Sequence, residues 1–254
     1  ERISNDRVQG IQREFDVSFS HQAGINALFS ASQRVSEEEF QHFVKIHALM
    51  DEPLYIALEW VPRVRPGDRA AFEANMRRRH PDFKIWEYDE RGVWRAAPAR
   101  AEYYPVAFVV SPDADYTVRG FDLASEPTRR SAIERAAVTG RPVVATPVSL
   151  IQGRALNYGY LVFIPNYRDP VVPPTERERI ERLTGFSVGV YIFGTILEYH
   201  LRNLQKLNQY IYIFTETRPD ARPVYVHPPY SRNTVIPVPK DAPGYSDLTG
   251  GEHA

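Results

Sequence analysis

Apolar side chains recur every three or four positions near the start of the chain, at Ile11, Phe15, Phe19, Ile25 and Phe29, with Gln22 on the same stripe. That period is one face of an α-helix, and residues 1–34 hold no proline to break it. About 34 residues at roughly 1.5 Å rise each predict a rod of roughly 50 Å. The stripe suits either a seam against a second helix or, over residues 20–34, a face buried within one chain. Ser36 and Glu39 then stand at capping-box spacing, and Phe40, Phe43, Val44 and His47 follow on one side of a second helix that Pro53 ends. The three glutamates at 37–39 suit the first turn, where the helix dipole favours negative charge.

From residue 54 the pattern changes to short β-type runs. Leu54–Val61 (LYIALEWV) reads as a buried strand, Asp68–Arg79 as a helix with Phe72 and Met76 inward, and Phe83–Tyr88 with Val93–Ala96 as a hairpin. Tyr103–Val110 and Leu156–Ile164 read as further strands. Between them lie a helix opened by Ser125, Glu126 and Pro127 and closed by Gly140, and a third strand. Ala132, Ile133, Ala136 and Ala137 share one helix face, small enough to lie close on a sheet. This order predicts an α+β unit: a five-stranded antiparallel sheet with helices on one side.

Residues 166–174 are proline-rich and read as a domain boundary. Beyond it, Thr175 and Glu178 open a polar helix, Phe186–Phe193 alternates as a strand, Thr195–Leu207 is amphipathic, and Tyr210–Phe214 is a second strand, with Val224–Val226 a candidate third. The expected organisation is therefore residues 1–52 as stalk and second helix, 53–169 as a first sheet lobe, 170–236 as a smaller second lobe, and 237–254 as an irregular tail.

Composition narrows the function. A hydrophobic share of 43% is enough for a core, and a net charge of -1 with both signs interspersed offers no basic face for nucleic acid. There is no cysteine, no P-loop, no GxSxG and no HExxH, so no enzyme signature is present. His42 and His47 are five apart, on different sides of a helix, and no metal site is expected. No run reaches the roughly 18 apolar residues of a membrane span. The chain starts at Glu1 inside a helical pattern, which suits a piece of a longer protein. One residue stands out: Asp122, in Gly120-Phe121-Asp122-Leu123, is a carboxylate among large apolar groups. Such a group can accept hydrogen bonds from ligand N–H groups or satisfy backbone N–H groups ahead of the helix, and the sequence permits both.

The motifs Glu59-Trp60-Val61-Pro62-Arg63-Val64, Tyr103-Tyr104-Pro105-Val106, Gly120-Phe121-Asp122-Leu123, Arg129-Arg130, Ala136 with Thr139-Gly140, and Ile164-Pro165 occur in one order over roughly residues 26–170. In that order they resemble the CHASE domain, the extracytoplasmic sensor of many histidine kinases and diguanylate cyclases, plant cytokinin receptors included. The resemblance implies a long stalk helix followed by two PAS-like lobes in tandem, the distal one holding a small molecule, with no cofactor. It implies a parallel homodimer through the stalk, membrane helices on either side, and a periplasmic or extracellular location. Carried over, Asp122 accepts hydrogen bonds from an adenine-type ligand such as a cytokinin, Val144 offers backbone groups, Tyr103 and Phe121 supply aromatic wall, and Gly153 lies where the pocket closes. Tyr104 and Phe121 are bulkier than the plant pattern at their positions. The alternative is a sensor or scaffold for a protein or peptide, with the pocket filled by its own aromatics; free volume beside Asp122 separates the two.

Overall fold

The structure, a computed structural model, describes residues 20, 22–32, 34–48, 56–112, 118–149, 158–169, 171–192, 211–213 and 225–227. The chain divides into two compact units, Gln12–Ile192 and a second made of Glu1–Ile11 with Phe193–Ala254.

In the larger unit, β1 (Ala57–Pro62), β4 (Phe108–Val110), β5 (Val143–Ser149), β6 (Tyr158–Tyr167) and β7 (Leu183–Ile192) form one sheet in the order β4-β1-β7-β6-β5, every pair antiparallel. β2 (Trp86–Tyr88) and β3 (Trp94–Ala96) form a separate two-stranded hairpin. This corrects the sequence reading twice. The hairpin does not join the main sheet, and the strand assigned to the start of a second lobe at residues 170–236 is the central strand of the first. The proline-rich stretch before it is a connection within the unit, which runs on to Ile192. Alternation of apolar residues tells which face a strand buries but not which strand it lies beside. β7 is buried along nearly its whole length, as a central strand must be.

The helices are α1 (residues 22–31), α2 (Glu37–Ala48), α3 (Arg69–Arg77), α4 (Pro127–Thr139) and α5 (Glu176–Arg182). Ala132, Ile133, Ala136 and Ala137 of α4 pack with Ala57, Val61, Val143, Phe163, Phe186 and Val188 in one apolar core. Leu58 and Trp60 point to the opposite face by the two-residue period of β1. There Phe29 of α1 stacks on Trp60 with ring centroids 3.7 Å apart, and Phe40 of α2 meets Phe108 at 5.8 Å. The sheet is therefore covered on both faces, where the sequence reading placed helices on one. Gln22 is the reason α1 tolerates a polar residue on its stripe. Fully buried, it donates to the Val162 and Ser187 carbonyls at 2.7 and 2.9 Å.

Helix ends follow local chemistry closely. Thr175 and Glu178 form the predicted reciprocal cap, and Gly140 ends α4 at φ 69°. The cap of α4 is Glu126, one residue past Ser125; its carboxylate accepts from Thr128 N and Arg129 N because Pro127 already occupies the first helical position. In the second unit, β8 (Ile211–Ile213) pairs antiparallel with β9 (Tyr225–His227). The expected helix at 195–207, the first 19 residues of the stalk and the 237–254 tail lie outside the described residues.

Candidate ligand site

Gly120–Leu123 threads between β2 and the segment before β4. Trp86 N donates to Gly120 O and Asp122 N to Trp86 O, both at 2.9 Å; Val106 N donates to Phe121 O and Leu123 N to Tyr104 O, both at 3.0 Å. The approach is close enough that Gly120, at φ 85°, has no room for a Cβ, which would overlap the Lys84 carbonyl oxygen.

This threading carries Asp122 inward, where it is 0% exposed. One carboxylate oxygen, Oδ1, accepts from Tyr104 N at 2.9 Å and Ala124 N at 3.2 Å. The other, Oδ2, accepts from Arg100 Nη1 at 2.8 Å. Burial pushes the Asp122 carboxyl above the usual range, against the opposing pull of the Tyr104 N–H and Arg100. Arg100 reaches further: Nη2 pairs with Glu87 Oε2, while Glu87 Oε1 accepts from Arg95 Nε at 2.9 Å and Nη2 at 2.6 Å. Glu87 is 1% exposed, so this chain of alternating charge runs from the buried Asp122 turn through a second buried carboxylate to Arg95 on the surface of the hairpin. A buried carboxylate needs such partners, since an isolated charge would neutralise instead.

Beside this chain lies a cavity of about 530 Å³ whose lining includes Tyr88, Arg95, Arg100, Phe121, Glu126 and Arg129. That volume suits a small-molecule site. The Phe121 ring sits 4.9 Å from Trp86 and 5.9 Å from Tyr88, and the Arg129 guanidinium lies over it at 5.2 Å. The site thus offers an aromatic wall, cations, lining carboxylates (Glu87, Asp89, Glu90 and Glu126) and the Asp122 carboxylate one guanidinium away.

Of the residues singled out in the sequence, Phe121 lines the cavity and Asp122 lies behind Arg100. Tyr103 is a buried post. Its hydroxyl accepts from Arg100 N at 3.0 Å and Arg69 Nη1 at 3.1 Å and donates to Pro98 O at 3.1 Å. Val144 sits on edge strand β5, opposite Val162 and 41% exposed. Gly153 lies outside the described residues. The bulky Tyr104 packs its ring 5.6 Å from Phe186 and donates its hydroxyl to Glu102, which also pairs with Arg63. Burial first, then that bond to Glu102, pushes the Tyr104 hydroxyl far up. Sequence reasoning missed Arg100 and Glu87. The signal for Glu87 was a charge at the inward position of the Trp86-Glu87-Tyr88 run; Arg100 carried none beyond the need of a buried aspartate for a cation.

Among the described residues, no group of His, Cys, Asp or Glu could hold a metal ion, and no helix is long and apolar enough to cross a membrane. The sequence matches the CHASE domain over residues 33–225. It is 25% identical to Histidine kinase 3 of Arabidopsis thaliana over 217 residues, 80% of this chain and 20% of that protein. To Probable histidine kinase 3 of Oryza sativa subsp. japonica it is 26% identical over 230 residues, 80% of this chain and 21% of the relative. To Hybrid signal transduction histidine kinase A of Dictyostelium discoideum it is 24% identical over 228 residues, 84% of this chain and 10% of the relative. The chain spans about a fifth or less of the length of these relatives. With most of its length, the Asp122 turn included, inside the family match, the chain belongs to the CHASE family of receptor sensor domains.

Proposed function

We propose that this chain is the extracytoplasmic ligand-sensing part of a transmembrane receptor, a histidine kinase or diguanylate cyclase, and that a small molecule of the adenine type enters the cavity beside Phe121. The observation that carries this reading is the single guanidinium that separates Asp122 Oδ2 from that cavity: Arg100 both lines the cavity and donates to the carboxylate. Amine and ring N–H groups of a purine can take over that donation while Oδ1 stays on Tyr104 N and Ala124 N. The ring then lies against Phe121, with Tyr103 holding the Arg100 backbone. In the whole receptor, residues 1–34 form the stalk of a parallel homodimer, residues 193–236 contribute to a second PAS-like lobe, and flanking membrane helices place the sensor in the periplasm or outside the cell. Ligand shifts the receptor equilibrium only by its differential affinity for the two states.

Thermal unfolding with and without a panel of adenine derivatives, cytokinins included, tests the ligand. At about 100 times its dissociation constant a ligand adds roughly 2.7 kcal/mol, a rise of several degrees in the midpoint. The rise should shrink in Asp122→Asn, which keeps an acceptor for the two backbone N–H groups but removes the negative charge. A protein or peptide partner is the second reading, favoured by the complete engagement of both Asp122 oxygens and by Tyr88, Val93 and Trp94, exposed together on the hairpin. A well-folded sample that no purine stabilises discards the adenine-type ligand and moves the search to other small molecules or to this partner.

A further inference from the structure

We propose a second binding site, for the carboxylate or phosphate group of a small anionic metabolite, in a cavity between the α1–α2 connection and the C-terminal end of α3. The cavity holds about 630 Å³, the size of a metabolite pocket, and shares no lining residue with the cavity beside Phe121. Its lining brings Arg34, Arg78, Arg79 and His80 together with only two acids, Glu37 and Glu39.

What matters is which of these charges are already used. Glu37 Oε2 is 2.7 Å from His80 Nε2, and its Oε1 accepts from Arg119 Nη2 at 2.8 Å. Glu39 is turned back on the start of its own helix, where its Oε2 accepts from Ser36 N at 2.7 Å. Arg79 pairs with Glu38. Glu37 is therefore paired, Glu39 is turned away onto neutral cap groups while keeping its charge, and the helix start is closed by that cap, so it is not what carries the site. Two guanidiniums remain. Among the described residues, neither the Arg34 nor the Arg78 guanidinium has a hydrogen-bond or ion-pair partner, and both residues line the one cavity. The planar fork of an arginine matches a carboxylate or phosphate with two parallel hydrogen bonds, and two forks on one cavity favour a group carrying a full negative charge. Asn75 adds a neutral donor and acceptor, and Val35, Met76 and Phe108 give a carbon skeleton something apolar to lie on.

The position gives the site leverage. Arg34 lies on the connection that leaves α1, and Arg78 follows the last turn of α3. An anion bridging them ties the end of α1 to a second helix of the same unit. Occupancy would thus stiffen the α1–α2 connection without touching the Asp122 turn.

Calorimetric titration of the 254-residue chain at constant ionic strength tests this, with succinate, glycerol phosphate and inorganic phosphate as probes. The expected result is saturable binding of at least one probe, weakened roughly tenfold or more by Arg34→Gln or Arg78→Gln and abolished in the double variant. Arg177→Gln, an exposed arginine elsewhere, should leave it unchanged. Both cavity arginines are exposed, so their substitution spares the fold, and an unchanged thermal midpoint without probe confirms it. Preference for succinate identifies a carboxylate ligand, preference for glycerol phosphate an organic phosphate, and equal response to inorganic phosphate a site for the bare anion. No saturable binding of any probe, or a loss that Arg177→Gln reproduces, overturns the proposal.

Discussion

Asp122 shows how far a single residue can be read in advance. A carboxylate among Phe121, Leu123 and a following helix is conspicuous in the sequence, and its burial and its backbone bonds follow from that setting. Its cation does not, because Arg100 stands 22 positions earlier and no local period links them. The two neighbouring acids should respond to pH in opposite directions. Burial raises the Asp122 carboxyl, so the folded state binds its proton more tightly than the unfolded chain; the stability this group contributes is fully present below the unfolded pKa of roughly 3.9 and is lost as pH rises through the folded value. For Glu102, burial pushes upward but the hydrogen bonds from Arg63 and Tyr104 outweigh it, and its pKa is lowered. Its contribution is present above the unfolded pKa and is lost as pH falls through the folded one. Denaturant midpoints measured across the acid range should therefore show the wild type gaining on Asp122→Asn, and losing against Glu102→Gln, as pH falls. Gly120 offers a second residue-scale test. Any side chain there meets both a left-handed backbone and the Lys84 carbonyl, so Gly120→Ala should cost more than about 2 kcal/mol in urea unfolding.

At the scale of elements, ends were more legible than neighbours. The capping pair Thr175 and Glu178 and the left-handed Gly140 are local chemistry, written within a few residues. Strand order is not. β7 reads from its alternation as a strand, yet its insertion between β1 and β6 depends on partners roughly 25 and 130 positions away, and no pattern within the run names them. What fixes β7 on its second face is α1. Gly189 leaves room for the Tyr191 ring and the Gln22 side chain, and Gln22 Oε1 lies 3.3 Å from the Tyr191 hydroxyl while its Nε2 serves two strand carbonyls. Gln22→Ala removes those bonds from a site without water access and should cost about 2–3 kcal/mol, seen as a lower urea midpoint with an unchanged slope. Gln22→Leu tests the same point by filling the space while offering no donor; a midpoint equal to wild type would show that packing alone holds α1.

At the scale of the larger unit, the sheet covered on both faces is the fixed part, and the hairpin β2–β3 is the attached part. Besides its backbone bonds at Trp86, the Trp86 indole bond to the Arg119 carbonyl and the ring contacts with Phe121, the hairpin is tied to the Asp122 turn by an ionic link, Arg100, shared between Asp122 and Glu87. That arrangement sets stability against ligand access. Arg100→Lys keeps the positive charge but not the fork, so a single nitrogen on a shorter side chain replaces the two that now serve Asp122 and Glu87 separately. Loosening a buried pair of this kind should cost about 3 kcal/mol, and hydrogen exchange should quicken in the hairpin, at residues 86–96, ahead of the main sheet. If a small molecule is to replace Arg100 on Asp122, the same variant should bind it more tightly, because apparent affinity rises with the fraction of molecules whose site is already open. Lower thermal midpoint and higher affinity for an adenine derivative, measured by calorimetry on one variant, is an outcome that general damage to the fold does not produce. Equal loss of both would mean that Arg100 builds the cavity wall and does not compete for Asp122, and the ligand would then have to be recognised by the rest of the lining, Phe121, Tyr88, Glu126 and Arg129 among it.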